Sequence, residues 1–150
     1  MSLTSVFSNQ VLWAGLAAWV LAQIIKVPYS YLHGKRWDWS LLFRAGGMPS
    51  SHAALVTAIT HAVGLYVGFD DPMFAVAFMV AMVVVYDATG IRRQAGLHAA
   101  LINAMIDDLA SGHVLKGEQL LEVLGHTPLE ALAGVVMGLI VAQGMWLIWP

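Results

Sequence analysis

The chain has 150 residues, of which 59% are hydrophobic and 11% are charged, and its mean hydropathy is +0.74. This composition excludes an ordinary soluble domain and indicates a protein that folds in a lipid bilayer. The net charge of -2 provides no basic field for nucleic acid, and the absence of cysteine excludes disulfides and Cys-ligated metal.

Four apolar segments approach the length of about 20 helical residues that a hydrocarbon core requires. They cover residues 11–26, 52–69, 72–86 and 128–149. No basic region or cleavage pattern precedes the first segment, which predicts that it is retained as a span. We therefore expect an all-α, polytopic membrane bundle with about four spans, forming a single domain over residues 1–150.

The segment between the third and fourth spans is too polar to cross a membrane. Its apolar residues recur at helical spacing, at Ile91, Ala95, Ala99, Ile102 and Ile106. This pattern predicts an amphipathic helix that lies at the membrane surface or caps the bundle.

The basic residues are confined to the ends of the first and third spans and the connections that follow them. They are Lys26, Lys35, Arg36, Arg44, Arg92, Arg93 and Lys116. The connection between the second and third spans carries only acidic charge, at Asp70 and Asp71. The positive-inside rule places the basic connections in the cytoplasm, in an inner or plasma membrane.

Alternate crossing of the membrane brings ionisable residues from three connections to this basic end. His52 begins the second span, Asp87 ends the third and is followed by Arg92 and Arg93, and His126 precedes the fourth. Ionisable groups gathered at helix ends near the membrane surface suit an anionic lipid headgroup.

The sequence GGMPSSH at residues 46–52 stands directly before the second span. Glycine and proline allow a sharp turn, and the first N–H groups of the following helix point back into that turn. We therefore predict that the turn binds an anion.

His126 and Glu130 are four residues apart at the start of the fourth span. On a helix continued back by one turn, the carboxylate accepts one imidazole N–H and leaves the second ring nitrogen as a nucleophile or base. The same residues also read as a capping box from Thr127 to Glu130 with Pro128 at the first helical position. Gly134 and Gly138 continue the stripe, which favours close approach of the second span.

Several of these segments together resemble a known superfamily. PSSH at 49–52 resembles the P-S-G-H motif of the type 2 phosphatidic acid phosphatase superfamily, and LGHTPLEALAG at 124–134 resembles the end of its S-R-x5-H-x3-D motif. AQIIK at 22–26, GGMPSSH, YDATGIRR at 86–93 and LGHTP follow the order of the small divergent membrane branch. The resemblance covers nearly the whole chain.

The resemblance implies a phosphohydrolase that acts on a lipid phosphate through a phosphohistidine, without metal or other cofactor. His126 would be the nucleophile, Glu130 would orient it, and His52 would protonate the leaving oxygen. Ser50, together with the N–H groups of Ser51 and His52, would bind phosphoryl oxygens at the helix N-terminus.

Two basic elements of the superfamily pattern are missing. The K-x6-R-P motif is absent as written, so Lys26 and Arg44 are candidates for its function rather than matches to it. Leu120 stands where the arginine six residues before the nucleophile belongs. Arg92 and Arg93 could supply that guanidinium to the phosphoryl group.

Two other functions are compatible with the sequence. Asp87, Asn103 and Asp107 could bind Mg²⁺ beside a phosphate, which would make the protein a metal-dependent membrane phosphotransferase. The chain could instead be a subunit that binds lipid phosphate without turnover. We also expect a homodimer, because four short spans enclose little internal surface.

Overall fold

The computed structural model describes residues 3–34, 37, 39–42, 46–110 and 126–150. It contains five α-helices: α1 (Gln10–Gly34), α2 (Ser51–Tyr66), α3 (Pro72–Thr89), α4 (Ile91–Ala110) and α5 (Pro128–Ile148). Short 3-10 helices cover Leu3–Ser8 and Trp39–Leu42. The regular structure of the described residues is helical throughout, which confirms the predicted all-α membrane bundle.

Hydrogen bonds between helix ends fix the direction in which each helix crosses the bundle. The Tyr66 hydroxyl at the end of α2 donates to the Trp149 carbonyl oxygen at 2.7 Å. Gln10 Nε2 at the start of α1 donates to the same carbonyl oxygen at 3.5 Å. The start of α1 and the ends of α2 and α5 therefore meet at one end of the bundle, which we call the Trp149 end.

The opposite end, which we call the His126 end, is joined by two backbone hydrogen bonds. The Ser50 N–H donates to the Glu130 carbonyl oxygen at 2.9 Å, and the His126 N–H donates to the Ala88 carbonyl oxygen at 3.0 Å. The starts of α2 and α5 and the end of α3 are thereby held together, as alternate crossing predicts.

The second predicted span is the central helix of the bundle. α2 packs against α1, α3 and α5, and its most extensive contact is with α5. Its 16 residues rise about 24 Å, which is less than the roughly 30 Å of a hydrocarbon core. The described stretches long and apolar enough to cross alone are Gln10–Leu32, Pro72–Asp107 and Pro128–Ile148. α2 is shorter, and its neighbours pack against it on three sides.

The end of the first span was predicted wrongly. The predicted span stopped at Lys26, before the proline, whereas α1 continues through Pro28 to Gly34. Proline removes one backbone donor from a helix, but membrane helices tolerate this where neighbouring groups satisfy the released carbonyl. The third span also extends beyond its predicted end, to Thr89.

The predicted amphipathic helix is present as α4. Its extensive contact with the other described elements is with α3, which precedes it across Gly90. Leu97, Leu101 and Met105 are spaced four residues apart and are about half exposed. This stripe differs from the predicted one, which includes Ala95 and Ile102, and the position at the membrane surface stays a prediction.

Small residues allow α1, α2 and α5 to approach closely. The fully buried core of this interface consists of alanines: Ala14, Ala18, Ala22, Ala54, Ala58, Ala62 and Ala142. A Cβ added at Gly138 would lie 2.5 Å from the Ala54 carbonyl oxygen and 2.9 Å from Thr57 Cβ. Hydrogen is therefore the only side chain that position 138 accommodates at this helix separation.

Replacing Gly138 with alanine should destabilise the bundle by about 1–3 kcal/mol, the usual effect of overpacking a core. Gly144→Ala on the same helix is the matched control, because no atom lies within 4 Å of its added Cβ. Alanine there should be neutral or stabilising by up to about 1 kcal/mol. Thermal unfolding of both variants in one detergent measures the difference, and equal stability of Gly138→Ala and wild type would contradict the packing.

Candidate active site at the His126 end

The N-terminus of α5 forms a complete capping box. The Thr127 hydroxyl accepts the Glu130 N–H at 3.3 Å, and Glu130 Oε2 accepts the Thr127 N–H at 2.9 Å. Pro128 occupies the first turn, where its missing N–H costs nothing. The local sequence therefore fixes both the start of α5 and the position of the Glu130 carboxylate.

The same carboxylate oxygen also contacts the histidine. His126 Nδ1 lies 3.2 Å from Glu130 Oε2, and only 5% of the His126 surface is exposed. Glu130 thus has both of the predicted contacts, one with the helix cap and one with the imidazole. A neutral imidazole that donates from Nδ1 carries its lone pair on Nε2, the form that a nucleophile or base requires.

The turn before α2 has the sharp geometry predicted from its composition. Gly46 and Gly47 have φ angles of 99° and 78°, which side chains rarely adopt, and the Met48–Pro49 peptide bond is cis. Ser50 is the N-cap, and its hydroxyl accepts the Ala53 N–H at 3.3 Å.

The first turn of α2 faces both α1 and α5. Ser51 is buried, and its hydroxyl accepts a hydrogen bond from Lys26 Nζ at 3.3 Å. The next residue, His52, places its ring centroid 6.5 Å from that of His126, with an angle of 57° between the ring planes. Residues predicted from three separate segments are therefore brought together at one end of the bundle.

Lys26 is the most buried charged side chain among the described residues, with 2% of its surface exposed. It lines a pocket of about 380 Å³, which we call the Lys26 pocket, together with Glu130 and residues of α1 and the 46–49 turn. A buried ammonium requires a hydrogen-bond acceptor and a counter-charge. Ser51 provides the acceptor, and Glu130 places a carboxylate at the same pocket.

The remaining predicted site residues lie on α3, on α4 or outside the described residues. Asp87 lies in the last turn of α3, next to the residue whose carbonyl oxygen accepts the His126 N–H. Arg92 and Arg93 lie in the first turn of α4, where the structure describes only their backbone. Arg44 and Leu120 lie outside the described residues.

The proposed magnesium ligands are spread over two helices. Asn103 is buried and Asp107 is exposed on α4, whereas Asp87 lies on α3, 16 residues before Asn103. Within the part of the chain that the structure describes, no group of three or more His, Asp or Glu side chains is placed to hold a metal ion.

One polar residue near the site was not singled out from the sequence. Gln23 is 8% exposed, and its Nε2 donates to the Leu42 carbonyl oxygen at 2.9 Å. Its Oε1 is buried without a hydrogen-bond partner in the described structure. Gln23 and Lys26 are three residues apart, on one face of an otherwise apolar helix, and this spacing is the signal that identifies them as a pair.

Comparison with known proteins agrees with the motif order and the helical architecture. The model of the family described as the divergent PAP2 family matches residues 7–141. The chain is 39% identical over 144 residues to the uncharacterized membrane protein YuiD of Bacillus subtilis strain 168, a match that covers 89% of this chain and 91% of YuiD. No solved structure matches the chain. The chain therefore belongs to the divergent PAP2 family, and it is a membrane protein of that family.

Proposed function

We propose that the protein is a membrane-embedded phosphohydrolase that removes the phosphate from a lipid phosphate, with His126 as the nucleophile and without metal. One arrangement of side chains at the His126 end carries this proposal. The imidazole of His126 is held by Glu130 at 3.2 Å and lies opposite the His52 ring, and the buried Lys26 ammonium binds the residue next to His52. Membership of the divergent PAP2 family supports the same chemistry.

In the first step, His126 Nε2 attacks phosphorus and the bond from phosphorus to the alcohol oxygen breaks. Protonated His52 gives its proton to that oxygen, so the alcohol leaves in neutral form. Glu130 accepts the Nδ1 hydrogen of His126 and offsets the positive charge that forms on the imidazole. The two ring centroids lie 6.5 Å apart, so both imidazoles are at the same helix ends.

In the second step, water attacks the phosphohistidine. His52, now neutral, takes the proton from the attacking water, and the bond between phosphorus and His126 Nε2 breaks. Inorganic phosphate is released, and both histidines return to their starting protonation states. The two histidines therefore have different functions, one as nucleophile and the other as acid and then base.

The phosphoryl oxygens would be bound by the start of α2 and by Lys26. The first N–H groups of the helix, those of Ser51 and His52, point towards the turn at Ser50, and the helix dipole favours an anion there. Lys26 adds a positive charge where water is largely excluded, so its attraction for phosphate is stronger than at an exposed site. Arg44, Arg92, Arg93 and Asp87 are proposed as additional residues of this phosphate site.

A lipid substrate follows from where the site lies. His126 and Glu130 lie at the start of α5, which is long and apolar enough to cross a bilayer, so a lipid headgroup reaches them without leaving the membrane. We further propose that the His126 end faces the cytoplasm, in agreement with the positive-inside rule. The single domain and the homodimer remain predictions.

Phosphate release from a lipid phosphate should continue in EDTA and should be inhibited by vanadate, which mimics five-coordinate phosphorus. Purified protein in detergent micelles, assayed with and without EDTA, provides the measurement. Loss of activity in EDTA that Mg²⁺ restores would contradict the proposal and favour the site at Asp87, Asn103 and Asp107.

His126→Ala should abolish both turnover and the trapping of a phosphorylated enzyme. His52→Ala should slow hydrolysis of an alkyl phosphate by about 10²–10⁴-fold, the usual contribution of general acid catalysis. Its effect on an aryl phosphate should be much smaller, because that leaving group needs no proton. His98→Ala is the control, since His98 is exposed on α4. A phosphoenzyme formed by the His126→Ala protein would refute the assignment.

Two substitutions separate the helix cap from the orientation of His126. Glu130→Gln preserves a side chain that caps the helix but removes the negative charge next to His126, so phosphate release should fall while the fold is retained. Thr127→Ala should cost about 1 kcal/mol of stability and leave turnover of the folded protein nearly unchanged. Paired unfolding and activity measurements test both. Full activity of Glu130→Gln alone would indicate that Glu130 only caps the helix. Equal activity of wild type, His126→Ala, His52→Ala and Glu130→Gln would favour a non-catalytic subunit.

A further inference from the structure

A second cavity of about 300 Å³ lies between α2, α3 and α5. We call it the lateral groove. Its wall on α3 is formed by Phe74, Phe78, Ala81, Met82 and Val85, which recur on one face of the helix. Most of the lining is therefore aromatic or aliphatic.

Two of the three polar side chains in the lining, those of Thr60 and His61, are already bonded within the protein. The Thr60 hydroxyl donates to the Val56 carbonyl oxygen at 2.8 Å, and it also lies 3.1 Å from the Ala77 carbonyl oxygen. His61 Nε2 lies 3.1 Å from Gln143 Oε1. Because Thr60 and His61 already have these partners inside the protein, an apolar occupant of the groove does not leave them without hydrogen bonds.

The groove begins near the candidate active site. Val85 is one turn before Ala88, whose carbonyl oxygen accepts the His126 N–H. From Val85 to Phe74 the lining follows α3 for 11 residues, which is about 16 Å of helix. This length is about half of the roughly 30 Å hydrocarbon core and matches the thickness of one leaflet.

The groove is open to the bilayer on one side and closed at its far end. Phe78 and Met82 are 48% and 56% exposed, so the side formed by α3 faces lipid. Towards the Trp149 end, the Phe69 ring lies 6.0 Å from the His61 ring and 5.2 Å from the Phe74 ring, measured between centroids. A chain that enters beside the active site therefore meets a wall of rings after crossing one leaflet.

We propose that the lateral groove binds one hydrocarbon tail of the lipid whose phosphate binds beside His126. The proposal rests on the proposed function for the position of the phosphate. The substrate class it names is a lipid phosphate with at least one tail long enough to fill the groove. Because the surrounding lipid is itself apolar, the groove contributes van der Waals packing against the tail and holds the headgroup at the His126 end.

Filling the groove should impair binding of long-tailed substrates only. Ala81 is small and buried in the groove wall, so Ala81→Phe should raise the KM for hexadecyl phosphate by about tenfold, because the tail loses its packing against the groove. Turnover of butyl phosphate should be unchanged, which also shows that the variant is folded. Ala75→Phe is the control, because Ala75 is exposed on the same helix outside the groove. Equal effects of Ala81→Phe on both substrates would overturn the proposal.

A photocrosslinking experiment tests the groove without relying on turnover. Hexadecyl phosphate with a diazirine in its tail, added to the protein in nanodiscs, should label Phe78 and Met82 in preference to Met79 and Val83 on the outer face of α3. Hexadecyl phosphate should compete with this labelling, and hexadecanol should not. Ala81→Phe should reduce labelling, whereas Ala75→Phe should not.

The two possible failures give different results. Selective, phosphate-dependent labelling of a protein that releases no phosphate would support the groove and refute the proposed hydrolysis. Equal competition by hexadecanol, or equal labelling of the two faces of α3, would show that the groove holds ordinary bilayer lipid. That result would overturn the tail site even if hydrolysis were observed.

Discussion

The close approach of α2 and α5 is the constraint on which the His126 end depends. Gly134 and Gly138 have no side chain, and the backbone of α2 occupies the space that a Cβ would need. The hydrogen bond from the Ser50 N–H to the Glu130 carbonyl oxygen then sets the two helix starts side by side. Because these helices run in the same direction, the positive ends of both dipoles point into one space. An anion is favoured there by the backbone before any charged side chain contributes.

The charge balance at this end explains why further basic residues matter. Lys26 is buried, and Glu130 lines the same pocket, so the two charges largely offset each other in the resting site. Glu130 is in turn held by the Thr127 N–H and by His126 Nδ1. On the proposed function, a phosphate dianion would draw its remaining stabilisation from the helix dipoles, from protonated His52 and from guanidinium groups. Arg92 and Arg93 lie in the first turn of α4, which follows α3 directly. They are therefore the arginines nearest in sequence to the end of α3 that lies beside His126.

Spacing within one helix and alternate crossing of the membrane were predictable from the sequence, whereas the rotation of α1 about its own axis was not. The contact between His126 and Glu130 and the capping box both follow from spacing within one helix. The burial of Lys26 depends instead on how α1 is rotated against α2, and a single charge in an apolar segment does not report that rotation. The continuation of α1 through Pro28 to Gly34 was not predicted; proline usually ends a helix in isolation, whereas packing decides inside a bundle. The lateral groove was also beyond prediction, since it exists only where three helices diverge.

The short length of α2 has a consequence for the chemistry. α1 continues eight residues beyond Lys26, about 12 Å of helix, whereas α2 begins at the residue that Lys26 contacts. The site is therefore recessed below the end of α1 instead of lying on the surface of the bundle. On the proposed function, a lipid phosphate would enter this recess with its tail still in the bilayer, and its headgroup would exchange bulk water for fixed donors. Fewer waters strengthen the attraction between phosphate and Lys26, while hydrolysis of the phosphohistidine needs only one water at His52. A recessed site thus favours the charged intermediate and still permits its breakdown, a combination that an exposed site at the membrane surface would not provide.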